Sequence, residues 1–235
     1  MKLKQALDWL RTHLTLPQYV TLRLLVGLVL CIACLRIFYE LVEAVFWEQG
    51  FNQLDLAIAN ELHAAATPAA TSFFLVVTAF GFQLLWVIGI VVGVYFMWRR
   101  RWMRLGVWIA ALVGGEALDF LLKAWFARPR PQFADPIAAA LYYSFPSGHA
   151  MMSLIAYGLL AYFLFIGLPR AWLRVPVVAA LIVLIGLIGF SRLYLGVHYA
   201  SDILAGFAVG GLWLSFCITA MNFLLDRRER LQRKT

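Results

Sequence analysis

Long apolar runs separated by short polar and basic segments dominate the chain. A bilayer core of about 30 Å needs roughly 20 apolar helical residues to cross it, and the runs predict six spans. The first covers 22–45; Arg23 and Arg36 interrupt it, and Glu40 and Glu43 near its end are placed to pair with neighbours. Residues 46–66 hold Glu48, Asp55, Glu61 and His63 and predict a loop plus an amphipathic helix on the membrane surface. The stretch from Ser72 to Trp98 is too long for one simple span, so Gly81 predicts a break between a surface helix and a second span over 82–98. The remaining spans are predicted over 107–126, 150–168, 175–190 and 202–225. Ahead of them all, Leu3, Leu7, Leu10 and Leu14 form one stripe, which predicts a short interfacial helix over 1–16. The expected fold class is all-α: one membrane domain over 1–235, built as a bundle of six transmembrane helices.

Composition supports this reading. Residues are 63% hydrophobic and 14% charged, whereas a soluble domain has about half apolar and about a quarter charged. The net charge of +8 does not point to nucleic acid, because Lys and Arg cluster beside apolar runs, as in cytoplasmic membrane loops. The basic clusters are the N-terminal segment, the loop at Arg99–Arg101 and Arg104, the loop at Arg170 and Arg174, and the tail from Arg227. With six spans all four share one side, which places both termini in the cytoplasm and loops 46–71, 127–149 and 191–201 outside. The pattern suits a bacterial inner membrane. No cleavage site closely follows the first run, so that run reads as a retained anchor. Cys31, Cys34 and Cys217 lie in apolar segments and predict neither a disulfide nor a metal site.

The outer segments toward the C-terminus carry the polar chemistry. Lys123 and Arg128-Pro129-Arg130-Pro131 follow the third span, Pro146-Ser147-Gly148-His149 opens the fourth, and Ser191-Arg192, His198 and Asp202 lie between the fifth and sixth. Ionisable groups at this depth are functional candidates by default. Lys123, Arg130 and Arg192 suit a dianionic phosphate. Ser147 and Gly148 sit at a helix N-terminus, where free N–H groups favour an anion, and Gly148 allows close backbone approach. His198 and Asp202 are four apart, so a helical start brings them together. The carboxylate would fix the imidazole tautomer, freeing the other nitrogen to attack phosphorus. His149 would protonate the leaving oxygen. The cations already balance transition-state charge, so no metal or other cofactor is expected.

In order and spacing, Lys123-x6-Arg130-Pro131, Pro146-Ser147-Gly148-His149 and Ser191-Arg192-x5-His198-x3-Asp202 resemble the three-part signature of the type 2 phosphatidic acid phosphatase family. That family includes bacterial lipid phosphatases and shares its catalytic core with vanadium-dependent haloperoxidases and soluble acid phosphatases. The resemblance covers about 50–225. It implies His198 as nucleophile, Asp202 as its partner, His149 as general acid, and a phosphate pocket of Lys123, Arg130, Ser147, Gly148 and Arg192. The expected activity is dephosphorylation of a membrane lipid phosphate at the extracytoplasmic face through a phosphohistidine. Undecaprenyl pyrophosphate, phosphatidylglycerol phosphate and phosphatidic acid all fit; undecaprenyl pyrophosphate or a broad range of lipids is the favoured expectation, and the headgroup is not legible. The rivals are a phosphotransferase acting on another lipid, such as lipid A, and a lipid transporter without turnover. The expected partners are the lipid substrate and the bilayer; the oligomeric state is not encoded legibly.

Other polar residues have plainer readings. Asp119, one turn before Lys123, is expected to orient its ammonium, and Glu116 to pair with a neighbour. Arg128 reads as a headgroup anchor and His63 as a surface residue. Trp125, Tyr142, Tyr143 and Tyr194 fall at the depth of an aromatic belt. Met151 and Met152 read as core.

Overall fold

In the computed structural model, residues 5, 18–48, 50–138 and 142–232 are described, and the interfacial helix expected over 1–16 lies, apart from Gln5, outside them. The described residues are helical without strands: α1 Gln18–Val42, continued by a π-helical turn Glu43–Trp47, α2 Gly50–Ala64, α3 Pro68–Ala79, α4 Gln83–Trp98, α5 Trp102–Phe126, α6 Gly148–Gly167, α7 Ala171–Tyr194 and α8 Ala200–Gln232. Six stretches among them are long and apolar enough to cross a membrane: Leu22–Trp47, Pro68–Trp98, Trp102–Phe126, Gly148–Gly167, Trp172–Tyr194 and Ala200–Arg228. Apolar side chains such as Leu28, Ile90, Phe120 and Val175 cover the outside of the bundle, as lipid rather than water requires. This is an integral membrane protein.

Several helices outrun their expected spans. α5 begins at Trp102 rather than Val107, α7 continues to Tyr194, and α8 continues to Gln232. Hydropathy marks where lipid begins and ends, whereas backbone hydrogen bonding carries a helix on into water through good helix formers such as Arg and Leu. The break at Gly81 is present. Phe80, Gly81 and Phe82 separate α3 from α4, and the Tyr157 hydroxyl donates to the Phe80 carbonyl at 2.6 Å. Carbonyls freed by a helix break at membrane depth need such a donor.

α6 is the axis of the bundle. Half of its apolar window is buried in protein, against 17% for the first and fifth spans. It packs on α5, α7 and α8, and α8 also packs along α1. Two glycines bring α8 in close. A Cβ on Gly206 would lie 2.5 Å from the Ser147 carbonyl oxygen, and one on Gly210 2.8 Å from that of Met151. This small-x3-small spacing lets two backbones touch, and it sets the start of α8 beside the start of α6. Met151 and Met152 are core, as expected. At the same end, Phe38, Phe46, Phe126 and Phe145 stack together and tie α1 to the loop between α5 and α6.

Candidate active site

Three connections meet at one end of the bundle, and each sets polar groups at its helix termini. α5 delivers Lys123 from its last turn, where the ammonium pairs with the Asp119 carboxylate and donates to the Pro146 carbonyl at 2.7 Å. Asp119 therefore sits where the i,i+4 spacing put it. Its carboxylate also lies against Gly148, where a Cβ would come within 2.7 Å of it. The neighbour demanding a glycine at 148 is thus Asp119.

α6 starts at Gly148, with Ser147 as its extended N-cap. The Ser147 amide donates to the Asp202 carbonyl at 2.9 Å, which pins this start to that of α8. The Ser147 side chain is buried, and its Oγ has no hydrogen-bond partner among the described residues. His149 lies two residues beyond Ser147, with Phe82 stacked at 5.9 Å between centroids. A Cβ at Gly81 would lie 2.7 Å from the imidazole Cδ2, so the break between α3 and α4 also makes room for His149.

His198 occupies the short connection between α7 and α8 and is buried. Its Nδ1 faces Asp202 Oδ2 at 3.4 Å, a close approach but longer than a formed hydrogen bond. Its Nε2 lies 3.0 Å from the Arg130 guanidinium. A guanidinium only donates, so this contact favours the tautomer with the proton on Nδ1, toward Asp202, and the lone pair on Nε2. Burial, then the charges of Arg130, Arg192 and Lys123, hold the imidazole well below its ordinary pKa of 6.5. That environment favours the neutral imidazole.

Arg130 is held by carbonyls: Tyr142 at 2.9 Å, Tyr143 at 3.1 Å and Val197 at 2.6 Å. Burial lowers its pKa from a very high starting value, and it remains a cation. Arg192, in the last turn of α7, donates to Thr78 Oγ1 at 2.8 Å, and its Nε is buried without a partner among the described residues. Every residue expected at the site, Lys123, Arg130, Ser147, Gly148, His149, Arg192, His198 and Asp202 with Asp119 beside them, lies at this one end.

Three expectations change. Arg128 is no headgroup anchor: it is buried, stacked over Tyr199 at 4.4 Å, and bonded to Asp202 Oδ1 at 2.6 Å and Asp55 Oδ2 at 2.9 Å. A guanidinium between two carboxylates and an aromatic face gains more there than at an interface. Tyr194 is buried rather than belted, its hydroxyl accepting from the Thr67 amide at 2.9 Å. His63 stacks on Phe133 at 4.0 Å and pairs with Asp135 at 3.0 Å, clipping α2 to the loop before α6. Trp125 and Tyr142 stay largely exposed, as a belt requires. Asp55 and Thr78 were missed, although a carboxylate between Leu54 and Leu56 beside a membrane is itself a sign of a partner.

The family model of the PAP2 superfamily matches residues 102–226, more than half of the chain. Phosphatidylglycerophosphatase B of Bacillus subtilis (strain 168) is 32% identical over 200 residues, which cover 82% of this chain and 95% of that protein. The crystal structure of a transmembrane PAP2-type phosphatidylglycerolphosphate phosphatase from Bacillus subtilis superposes with a TM-score of 0.74 at 29% identity, over 80% of this chain and 94% of that one. That of Aquifex aeolicus LpxE gives a TM-score of 0.57 at 24% identity over 70% and 94%, a likeness of fold. Signature, architecture and ancestry agree, and the chain belongs to the PAP2 superfamily.

Proposed function

We propose that this protein is a lipid phosphatase that releases phosphate from a membrane lipid phosphate through a phosphohistidine on His198. The observation that carries the reading is the poise of that imidazole: Nδ1 toward the Asp202 carboxylate, Nε2 toward the Arg130 guanidinium. On one side stands a group that stabilises imidazolium; on the other stands a cation that would hold phosphate.

The reaction balances as two displacements. The His198 Nε2 lone pair forms an N–P bond while the P–O bond to the lipid breaks, and the leaving oxygen takes a proton from His149. A bound phosphate dianion beside His149 favours its protonated form. Water then attacks phosphorus and gives its proton to His149, the N–P bond breaks, and inorganic phosphate leaves. Arg130, Arg192 and Lys123 balance the equatorial oxygens, with donor capacity left on Ser147 Oγ and Arg192 Nε. The charge a metal supplies in other phosphatases comes here from side chains, and the proposed reaction uses no cofactor.

The name of the Bacillus relative makes phosphatidylglycerol phosphate the first substrate to try, ahead of undecaprenyl pyrophosphate and phosphatidic acid. The acyl or isoprenoid chains would lie against the apolar outside of the bundle. Arg99–Arg101 join α4 to α5, Arg104 lies in the first turn of α5, Arg170 precedes α7, and Arg227 and Arg228 lie far along α8, all at the ends remote from the site. By the positive-inside rule those ends and both termini are cytoplasmic, and the site faces the extracytoplasmic side of a bacterial inner membrane.

The test is phosphate release from a panel of these lipids in detergent, with His198→Ala in parallel and no acceptor lipid added. Release by the parent alone supports a histidine-dependent hydrolase. No release from any lipid by folded protein overturns it in favour of transfer to another lipid or of a protein without turnover.

A further inference from the structure

Behind His198, away from the cations, runs a buried chain of alternating charge. Asp202 Oδ2, which faces the imidazole, also accepts from the Tyr199 amide at 2.9 Å, and Oδ1 accepts from Arg128 at 2.6 Å. The other arm of the Arg128 fork donates to Asp55 Oδ2 at 2.9 Å and to Asn52 Oδ1 at 3.1 Å. Asp55 further accepts from the Ser201 amide at 3.0 Å and from the Ser201 hydroxyl, which itself accepts from Arg128 at 2.8 Å. Asp55, Ser201 and Asp202 are fully buried, and Arg128 is 7% exposed. Asn52 and Asp55 lie three apart on α2, on one face. That helix lies outside the 102–226 that match the PAP2 superfamily.

Charge bookkeeping gives the chain a purpose. Asp202 alone would present one negative charge to His198. Arg128 locks the carboxylate in place but cancels that charge, and Asp55 restores it: minus, plus, minus. At this burial, charges a few ångströms apart act with little screening. We propose that Asp55, on α2, is a positioning residue of the active site, acting through Arg128 to keep Asp202 both fixed and net negative toward His198. The inference rests on the phosphatase reading above. When the imidazole bonds to phosphorus it becomes cationic, so a negative background counts in the transition state and little in substrate binding.

The test uses the full chain in detergent with short-chain phosphatidic acid as probe, following kcat, KM and melting temperature. Asp55→Asn leaves the carboxylate–guanidinium pair neutral; kcat should fall at least about tenfold with KM within about threefold, the scale seen when the partner of an orienting group is removed. Adding Arg128→Gln returns the background to one negative charge, so the double variant should regain at least about threefold in kcat over Asp55→Asn without a matching rise in melting temperature, whereas a purely structural pair would move the two together. Parent-like kcat in Asp55→Asn, or a double variant slower than both singles with all three folded, overturns the proposal. If Asp55→Asn does not fold, the double variant, in which Asp202 is the one charge left of the chain, decides: kcat within about tenfold of the parent supports the proposal, and folded inactive protein overturns it. Failure of both to fold makes the pair structural only and also overturns it. If the parent itself releases no phosphate, the phosphatase reading is what fails.

Discussion

His198 has two unlike neighbourhoods. Toward α2, Asp202, Arg128, Ser201 and Asp55 meet one another's hydrogen bonds, and hardly any solvent reaches them. Toward the loop before α6, Arg130, Lys123 and Arg192 bring cations whose partners are mostly carbonyls and hydroxyls, and Ser147 Oγ and Arg192 Nε keep unused capacity. Paired charges hold a geometry still; unmatched donors leave room for an anion. On the proposed mechanism, the contrast separates the side that would orient the base from the side that would receive phosphate.

Breaking the contrast at its centre should have the largest effect. His198→Ala should abolish phosphate release, a loss of at least about a thousandfold, on the scale of removing a catalytic nucleophile or base. Next is the receiving side. Arg192→Ala removes a transition-state donor and should lower kcat by about a hundredfold or more, read as phosphate release at saturating substrate. The orienting side should respond less, as argued for Asp55→Asn. Gly206→Ala disturbs both sides at once, because its Cβ would press on the Ser147 carbonyl at 2.5 Å. Overpacking of this kind costs about 1–3 kcal/mol, visible as a lower melting temperature in detergent.

The smallest expected effect is on pH and stability. His198 stays neutral in the folded protein, while in the unfolded chain it titrates near 6.5. Below that value the unfolded state binds a proton that the folded state does not, so stability is full above about pH 6.5 and declines as pH falls further. Melting temperatures from pH 8 to pH 5 should show the decline, and His198→Gln should make it shallower.

Much of this was readable in the sequence. Spans and signature motifs depend on hydropathy and on residues close in the chain, such as His198 with Asp202, and both survive folding as local order. The orienting side depends on pairs far apart: Asp55 and Arg128 are separated by 73 residues, and Thr78 and Arg192 by 114. No periodicity signals such pairs, which is why Arg128 reads as an anchor and Asp55 as a loop acid. The close packing at Gly206 and Gly210 is similar: the spacing is visible, but only the fold shows that the backbone of α6 is what comes close.

If phosphate passes through His198, it can be trapped there. The parent and His149→Ala would be mixed with radiolabelled p-nitrophenyl phosphate, whose leaving group needs no acid, then quenched in alkali, which spares phosphohistidine. Alkali-stable, acid-labile label is expected on the peptide holding His198, accumulating in His149→Ala because water lacks its base. Label on another residue, or turnover that survives His198→Ala, would contradict it.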